Sequence, residues 1–343
     1  MSTTAITGTG CYLPDTVLTS DELGQRLGVG GQWIRDKTGI HERRIAAPNE
    51  DTSDLAVLAA QRALAAADLR PDDVDLIVLA TSTKDQPMPA TACHVQAKLD
   101  ASRAAAFDVD AVCSGFVYAL TTAHALLLAT PSHTNALVIG ADIYSRILDY
   151  TDRRTCILFG DGAGAVVLRK VSTGAGVLAH ALASDGTTAD LVTVPAGGSR
   201  LPASHHTIDS GGHYFHMEGG DVRRMAAKML PAVVNDLLNA ADLRVSDVDV
   251  LVPHQANGVM LAELAETLGL GPGVMHLTVR RYANTGAASV PITLDDAIRK
   301  GLIHPGATVL LAAFGGGMTW GGLLVRWAEQ ENPVAGHGAS PGW

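Results

Sequence analysis

The chain has 343 residues, of which 47% are hydrophobic and 17% are charged, and its formal net charge is −10. This length fits two ordinary domains or one large duplicated domain, and the apolar content excludes a disordered chain. The acidic charge argues against nucleic acid as a partner. The first ten residues lack the features of a signal peptide, and the most apolar stretch, Phe116–Thr130, is too short to span a bilayer. We expect a cytoplasmic protein without a membrane partner.

An internal repeat organises the chain. The segment Ala66–Asp75 recurs as Ala240–Asp249 with eight of ten positions identical. In each copy a helical pattern precedes the repeat and an apolar run follows it: 55–67 and 76–79, then 222–241 and 250–252. Strands that alternate with helices predict predominantly parallel, buried sheets. The duplication predicts an α/β/α/β/α layered body, with any site where the two halves meet.

The repeat also sets the predicted domain boundaries. They are an N-terminal half at 1–175, a linker at 176–212, a C-terminal half at 213–328 and a mobile tail at 329–343. The linker prediction rests on Gly197–Gly212, which is rich in Gly, Ser, Pro and His. The tail follows the last strand-like run.

The cysteines and one group of histidines are candidate metal ligands by residue type. The four cysteines are far apart and contain no CxxC pair, which predicts reduced thiols: Cys11, Cys93, Cys113 and Cys156. Four histidines share one Gly- and Ser-rich segment: His205, His206, His213 and His216. Without neighbouring Cys or carboxylate pairs, this group is interpreted as a solvated linker. We expect no metal and no cofactor.

Cys113 is the first candidate for chemistry. It lies between the strand-like run Ala106–Val109 and a helix that begins near Ser114. Unpaired N–H groups and the positive end of the helix dipole at such a position lower the pKa of a thiol. A lone cysteine is also a common small buried hydrophobe, so position alone leaves both interpretations open.

The duplication brings two further residues into consideration. His254 follows the apolar run of the second copy and is expected at the same sheet edge as Cys113. Asn284 lies near the position in the second copy that is equivalent to Cys113 in the first. The order Cys, His, Asn also occurs in papain-like peptidases, but the local peptidase signature around the cysteine is missing. The duplication predicts that the three side chains converge.

These residues stand in motifs that resemble the β-ketoacyl-acyl-carrier-protein synthase III (KAS III) family of the thiolase superfamily. The resemblance extends to about Trp327. The segments that carry it are Trp33-Ile34, Thr38-Gly39-Ile40, Ala111–Phe116, Thr151–Arg153, Phe159–Ala165, Val252–Asn257, Asn284-Thr285, Ala287–Pro291, Phe314–Gly317 and Thr319–Gly321.

The resemblance implies a homodimer of the thiolase-like fold that takes its acyl group from acyl-CoA or an acyl-carrier protein. Cys113 is then the acyl-accepting nucleophile, with His254 and Asn284 as its partners. The backbone N–H groups of Cys113 and Gly316 form an oxyanion hole. Positions that contact coenzyme A in the family correspond to Trp33, Lys37, Arg153, Gly219 and Asn257.

Several positions depart from the family pattern. Lys37 replaces an arginine that clamps adenine, and Met88 replaces an aromatic residue that caps the acyl pocket from the partner subunit. Three basic positions that dock the acidic carrier protein are Val259, Glu266 and Thr267 here. A replacement basic patch is predicted at Arg223, Arg224 and Lys228.

Three functions are compatible with these residues. The first is a KAS III-type acyltransferase that loads an acyl group on Cys113 and condenses it decarboxylatively with a malonyl thioester, such as malonyl-carrier protein, in fatty-acid or polyketide biosynthesis. The alternative passes the acyl group to a hydroxyl or amine of a small-molecule acceptor in secondary metabolism, with His254 as general base and no decarboxylation. The third is a silent structural partner of an active ketosynthase, which the intact set of Cys113, His254 and Asn284 disfavours.

Overall fold

The computed structural model describes residues 2–172 and 174–328, so the predicted tail at 329–343 lies outside the described residues. The strands are β1 (Thr3–Tyr12), β2 (Thr16–Thr19), β3 (Glu42–Ile45), β4 (Leu76–Ala80), β5 (Ala105–Val109), β6 (Asn135–Ile143), β7 (Asp161–Val171), β8 (Gly176–Ser184), β9 (Val192–Thr193), β10 (His216–Met217), β11 (Val250–Pro253), β12 (Thr308–Gly315) and β13 (Thr319–Arg326). The helices are α1 (Ser20–Leu27), α2 (Gly31–Thr38), α3 (Thr52–Ala66), α4 (Thr91–Leu99), α5 (Gly115–Ala129), α6 (His205–Asp209), α7 (Gly219–Ala240), α8 (Gly258–Thr267), α9 (Val279–Tyr282) and α10 (Ser289–Arg299).

Two sheets of mixed direction form the frame. The first has the order β1-β7-β6-β4-β5, and the second has the order β11-β12-β13-β8. Only β4 with β5, β4 with β6, and β11 with β12 pair in parallel within these two sheets. The prediction of predominantly parallel sheets is therefore wrong. Helices α4 and α5 supply the crossovers that parallel neighbours need, whereas β12 turns directly into β13 and pairs with it antiparallel.

The apolar core divides into layers that match the predicted α/β/α/β/α body. The central cluster combines Phe116 and Leu120 of α5 and Val290 of α10 with Val138 of the first sheet and Leu311 of the second. Helices α3 and α4 cover the outer face of the first sheet. Helices α7 and α8 cover the outer face of the second. Both sheets therefore present one face to the shared central pair, α5 and α10.

Helix α5 is the most apolar helix of this core. With its preceding turn it forms an 18-residue stretch, Val112–Ala129, which by length and composition alone is long enough to cross a membrane. Within the described residues 61% of that stretch is buried inside the fold. Its histidine, His124, is also buried and lies 2.7 Å from Thr4 Oγ1 of β1. Packing between two sheets explains why this helix needs no polar face.

The predicted linker at 176–212 is partly structured. Its first nine residues form β8, which pairs antiparallel with β13 at the edge of the second sheet. The linker prediction is wrong for these residues because an edge strand with mostly exposed side chains has a weak apolar pattern. The remaining part contains β9, which pairs with β10, and the single-turn helix α6.

Candidate functional site

Cys113 lies in the 3₁₀ turn between β5 and α5, at the N-terminal end of the helix. The second half of the chain holds this turn, because Thr319 Oγ1 donates to Ala111 O at 3.1 Å and lies 2.6 Å from Ser114 Oγ. Val112 adopts a φ of 49°, which is rare for a β-branched residue. The surrounding contacts hold this conformation against a steric penalty of about 1–2 kcal/mol.

The thiol of Cys113 is strongly influenced by burial. Burial, reinforced by the carboxylate of Asp142, raises the pKa of Cys113 to about 12. The sequence-based expectation of a lowered thiol pKa is therefore wrong for the free protein. The helix N-terminus is present, but desolvation of a thiolate that is only 9% exposed outweighs it.

His254 follows β11 and is held from three sides. Its backbone N–H donates to Ala312 O at 2.8 Å, and its ring packs edge-on against Phe314. Its Nδ1 lies 2.6 Å from Ser289 Oγ, which accepts a hydrogen bond from Gln255 N–H at 3.3 Å. Burial lowers the pKa of His254 to about 3. The imidazole is therefore neutral at physiological pH.

Asn284 is fixed by backbone and side-chain hydrogen bonds. Its N–H donates to Leu158 O at 2.9 Å, and its carbonyl accepts from Gly160 N–H at 3.0 Å. Ala283 before it has a φ of 59°. The side-chain Oδ1 accepts from Gly286 N–H at 2.9 Å, so Nδ2 is the group left to donate to a ligand.

These three residues line one cavity of about 380 Å³. Cys113 comes from the first half of the chain, whereas His254 and Asn284 come from the second. Gly316, in the turn between β12 and β13, lines the same cavity. The neighbouring position, 315, must be a glycine, because a Cβ there would lie 2.7 Å from the Cys113 nitrogen. The two halves therefore meet at the thiol.

The outer part of the cavity is more polar. The Arg153 guanidinium lies 5.8 Å from the centre of the Trp33 ring, and exposed Lys37 lies on the same helix as the tryptophan. Asn257 caps α8 through its Oδ1 and donates from Nδ2 to Lys37 O at 3.1 Å. Gly219 begins α7. All five residues line the cavity that contains Cys113.

Met88 lies away from the cavity, whereas Arg223 of the predicted basic patch is among the residues that line it. Met88 is 79% exposed and is not among the residues that line its own chain's cavity. Arg223 forms an ion pair with Glu263, and Arg224 forms one with Asp221. Two of the three cations assigned to the replacement patch are therefore neutralised, which weakens that prediction.

Sequence reasoning missed two buried residues of the site. Ser289, which contacts the His254 ring, lies in a recognised motif, but nothing in the motif indicates which side chain the hydroxyl meets. Tyr144 belongs to a buried aromatic cluster with the cavity-lining residues Phe159 and Phe215, and no sequence pattern distinguished it. Across residues 2–172 and 174–328 no group of three or more His, Cys, Asp or Glu side chains is arranged to hold a metal ion.

The duplicated five-layer body with a Cys, His, Asn cavity between its halves defines a thiolase-like fold. Residues 107–186 match the family model described as 3-oxoacyl-[acyl-carrier-protein (ACP)] synthase III, and residues 238–327 match the model of its C-terminal part. The chain belongs to this family, KAS III, whose members are acyltransferases that condense an acyl thioester with a malonyl unit.

Individual relatives cover nearly the whole chain. Acetoacetyl CoA synthase NphT7 of Streptomyces sp. strain CL190 is 49% identical over 94% of this chain and 98% of its own length. A β-ketoacyl-[acyl-carrier-protein] synthase III of Paramagnetospirillum magneticum is also 49% identical, with the same coverage. The crystal structure of the Aquifex aeolicus synthase III superposes with a TM-score of 0.87 at 39% identity, covering 94% of this chain and 100% of that one.

Proposed function

We propose that this enzyme transfers an acyl group from acyl-CoA to Cys113 and condenses it with a malonyl thioester carried on coenzyme A. The observation that carries the proposal is the convergence of Cys113, His254 and Asn284 on one cavity. The products are CO₂ and a β-ketoacyl thioester. Coenzyme A enters as part of both substrates, and no further cofactor is required.

In the first half-reaction, Cys113 Sγ attacks the thioester carbonyl carbon of the donor. The bond from that carbon to the coenzyme A sulfur breaks, and the thiol proton leaves with the coenzyme A thiol. Backbone N–H groups of Cys113 and Gly316 stabilise the oxyanion that forms on the carbonyl oxygen. The high pKa of the free thiol makes deprotonation part of this step rather than a preceding equilibrium.

In the second half-reaction, His254 and Asn284 bind the thioester oxygen of the malonyl group. Ser289 Oγ already accepts a hydrogen bond from the backbone, so its proton is available to His254 Nδ1, which leaves the ring proton on Nε2. Nε2–H and Asn284 Nδ2–H then stabilise the enolate as CO₂ leaves. The enolate carbon attacks the acyl carbon, and the sulfur of Cys113 departs and takes up a proton.

The alternative with a hydroxyl or amine acceptor requires His254 to accept a proton. A histidine whose pKa is held at about 3 by burial is a weak base at neutral pH, whereas it remains an effective neutral hydrogen-bond donor. This property supports condensation over simple acyl transfer.

The surface near the cavity supports coenzyme A rather than a carrier protein as the malonyl carrier. Exposed Glu266 would repel an acidic carrier, and Arg223 and Arg224 are paired with carboxylates. Trp33 and Arg153 at the cavity mouth offer aromatic and cationic contacts to an adenine nucleotide. The name of the relative NphT7, acetoacetyl CoA synthase, describes a coenzyme A product and supports the same assignment.

A second copy of the chain and a cytoplasmic location complete the proposal. Strand β5 is the edge of the first sheet, so it presents unpaired backbone groups to a partner. The exposed Met88 side chain is available to the acyl pocket of the second copy.

We assign the homodimer either to fatty-acid synthesis or to a polyketide pathway. The structure of the priming β-ketosynthase of the R1128 polyketide pathway superposes with a TM-score of 0.88 at 29% identity, covering 96% of this chain and 97% of that one, which supports the second.

The test loads Cys113 with an acetyl group and then adds a malonyl thioester labelled in its free carboxylate. We expect rapid release of labelled CO₂ with malonyl-CoA and slow release with malonyl-carrier protein. The double variant Val259→Arg/Glu266→Lys should improve use of the carrier protein without a comparable change with malonyl-CoA. Discharge of the acetyl group to a hydroxyl or amine without CO₂ would contradict condensation, and equal rates with both carriers would contradict the coenzyme A assignment.

A further inference from the structure

One threonine hydroxyl joins the two halves of the chain beside the thiol. Thr319, the first residue of β13, donates from Oγ1 to Ala111 O at 3.1 Å and to Gly316 O at 3.0 Å. Ala111 precedes the 3₁₀ turn that contains Cys113, whereas Gly316 lies in the turn between β12 and β13. A proton shared between two carbonyls forms a three-centre hydrogen bond. This bond therefore ties a carbonyl of the first half to a carbonyl of the second.

The serine that follows the nucleophile extends this arrangement. Ser114 is fully buried, and its Oγ lies 2.6 Å from Thr319 Oγ1 and 2.7 Å from Ala111 O. Since the Thr319 proton is directed at the two carbonyls, the Ser114 hydroxyl supplies the proton for the contact between the two hydroxyls. Loss of the Thr319 hydroxyl would therefore remove three contacts together, with Ala111 O, Gly316 O and Ser114 Oγ.

Glycines allow the two turns to approach each other closely. A Cβ at Gly315 would lie 2.8 Å from Ala111 O and 2.8 Å from Ser114 N. A Cβ at Gly316 would lie 3.2 Å from Val112 Cγ2. The turn of the first half thus packs on bare backbone of the second half. Thr319 supplies hydrogen bonds that cross between the two turns, so its hydroxyl fixes their spacing.

The same two turns carry the N–H groups to which the proposed function assigns the oxyanion. The Cys113 N–H follows Ala111 O by two residues, and the Gly316 N–H belongs to the residue whose carbonyl Thr319 binds. Such donors act at about 2.7–3.1 Å from the oxyanion, so a change in their spacing weakens the stabilisation. Thr319 is not among the residues that line the cavity, whereas Cys113 and Gly316 are. Thr319 therefore acts through them.

We propose that Thr319 is a positioning residue that sets the spacing between the N–H groups of Cys113 and Gly316 for both half-reactions. The proposal rests on the proposed function and adds a residue that touches neither thioester substrate. An oxyanion forms on the acyl carbonyl oxygen when coenzyme A leaves and again when the enolate attacks, so both steps need these donors. His254 and Asn284, in contrast, serve the second step.

The test uses Thr319→Val, which removes the hydroxyl and keeps the branched shape of the side chain. We expect acetylation of Cys113 by acetyl-CoA to slow by about 10- to 100-fold, since a displaced donor costs less than a deleted one. Condensation of preformed acyl-enzyme should slow by a similar factor. The acetyl-CoA concentration that gives half the maximal acetylation rate should change by less than about threefold. Thr319→Ser restores the hydroxyl and should recover most of both rates, which single-turnover kinetics with intact mass detection measure.

Thr122→Val is the matched control. Thr122 in α5 is also half-buried, and its hydroxyl donates to a backbone carbonyl, Tyr118 O, at 2.8 Å. This variant should keep both wild-type rates. If Thr319→Val does not fold, Ser114→Ala removes the other hydroxyl of the pair and should slow both steps by a smaller factor.

Wild-type rates in a folded Thr319→Val variant would overturn the proposal, as would wild-type rates in Ser114→Ala where Thr319→Val does not fold. A loss confined to condensation would overturn it too, and so would equal losses in Thr319→Val and Thr319→Ser. If no acyl-CoA acylates Cys113 of the wild-type chain, the proposed function itself fails, and the role of Thr319 falls with it.

Discussion

The two halves of the molecule use the same backbone device to present different side chains. Val112 in the first half and Ala283 in the second both adopt a positive φ, and the residues that follow them are Cys113 and Asn284. In the first half the turn leads into α5, and in the second half it leads toward α10. In each half a residue with a positive φ therefore directly precedes a residue that lines the cavity, a thiol in the first half and an amide in the second.

The halves differ at the position that follows the equivalent central strands. When the two copies of the repeat are aligned, His254 corresponds to Ala80. A Cβ on Gly115 would lie 3.1 Å from the Ala80 Cβ, so the Ala80 side chain lies close to the start of α5. In the first half this position packs against the helix that follows Cys113, and in the second half it carries an imidazole. Under the proposed function, the first half carries the covalent chemistry and the second half donates hydrogen bonds.

The largest effect is expected from a substitution in the first half that removes the thiol. Cys113→Ala should abolish acyl-enzyme formation and lower condensation by at least about three orders of magnitude, because it removes the proposed acyl acceptor. Cys93→Ala is the matched control and should be acylated like the wild type. Peptide mapping after incubation with acetyl-CoA checks both results, and acetylation at Cys11, Cys93 or Cys156 would contradict the assignment.

Smaller effects are expected from substitutions in the second half, and they should affect condensation more than self-acylation. His254→Ala and Asn284→Ala should each slow condensation of the preformed acyl-enzyme by about 10²- to 10³-fold, because each removes one donor to the enolate oxygen. Self-acylation of Cys113 should fall much less. Single-turnover kinetics measure the two steps separately, with His304→Ala, on an exposed histidine, as the control. Equal losses in both steps would mean that the halves do not divide the chemistry in this way.

The smallest effect is an absence of pH dependence in the second step. Burial lowers the pKa of His254 to about 3, so the ring stays neutral above that pH and its state does not change between pH 5.5 and 8. The condensation rate of preformed acyl-enzyme, in which Cys113 cannot titrate, should stay within about twofold across this range. A sigmoidal loss of rate on acidification, with a midpoint near the ordinary histidine pKa of about 6.5, would contradict a permanently neutral donor.

The sequence predicted the layered fold and the three residues that line the cavity, because a repeat in the sequence implies two similar halves that pack together. Equivalent positions in two packed copies lie near the same sheet edges, so Cys113 and Asn284 could be related without a structure. The pKa of Cys113 could not be predicted, because the helix terminus is visible in the sequence whereas the depth of burial is not. Tyr144 and Ser289 were missed because their importance comes from contacts with residues distant in sequence.

The cavity that joins the thiol to the Trp33 mouth also imposes an order of events on the proposed reaction. The outgoing coenzyme A and the incoming malonyl thioester both require the passage between Arg153 and Cys113, so they exclude each other. Release of the first product must precede entry of the second substrate. Steady-state kinetics should then give parallel lines in double-reciprocal plots. An excess of either thioester should slow turnover, because it would occupy the passage in the enzyme form that binds the other thioester.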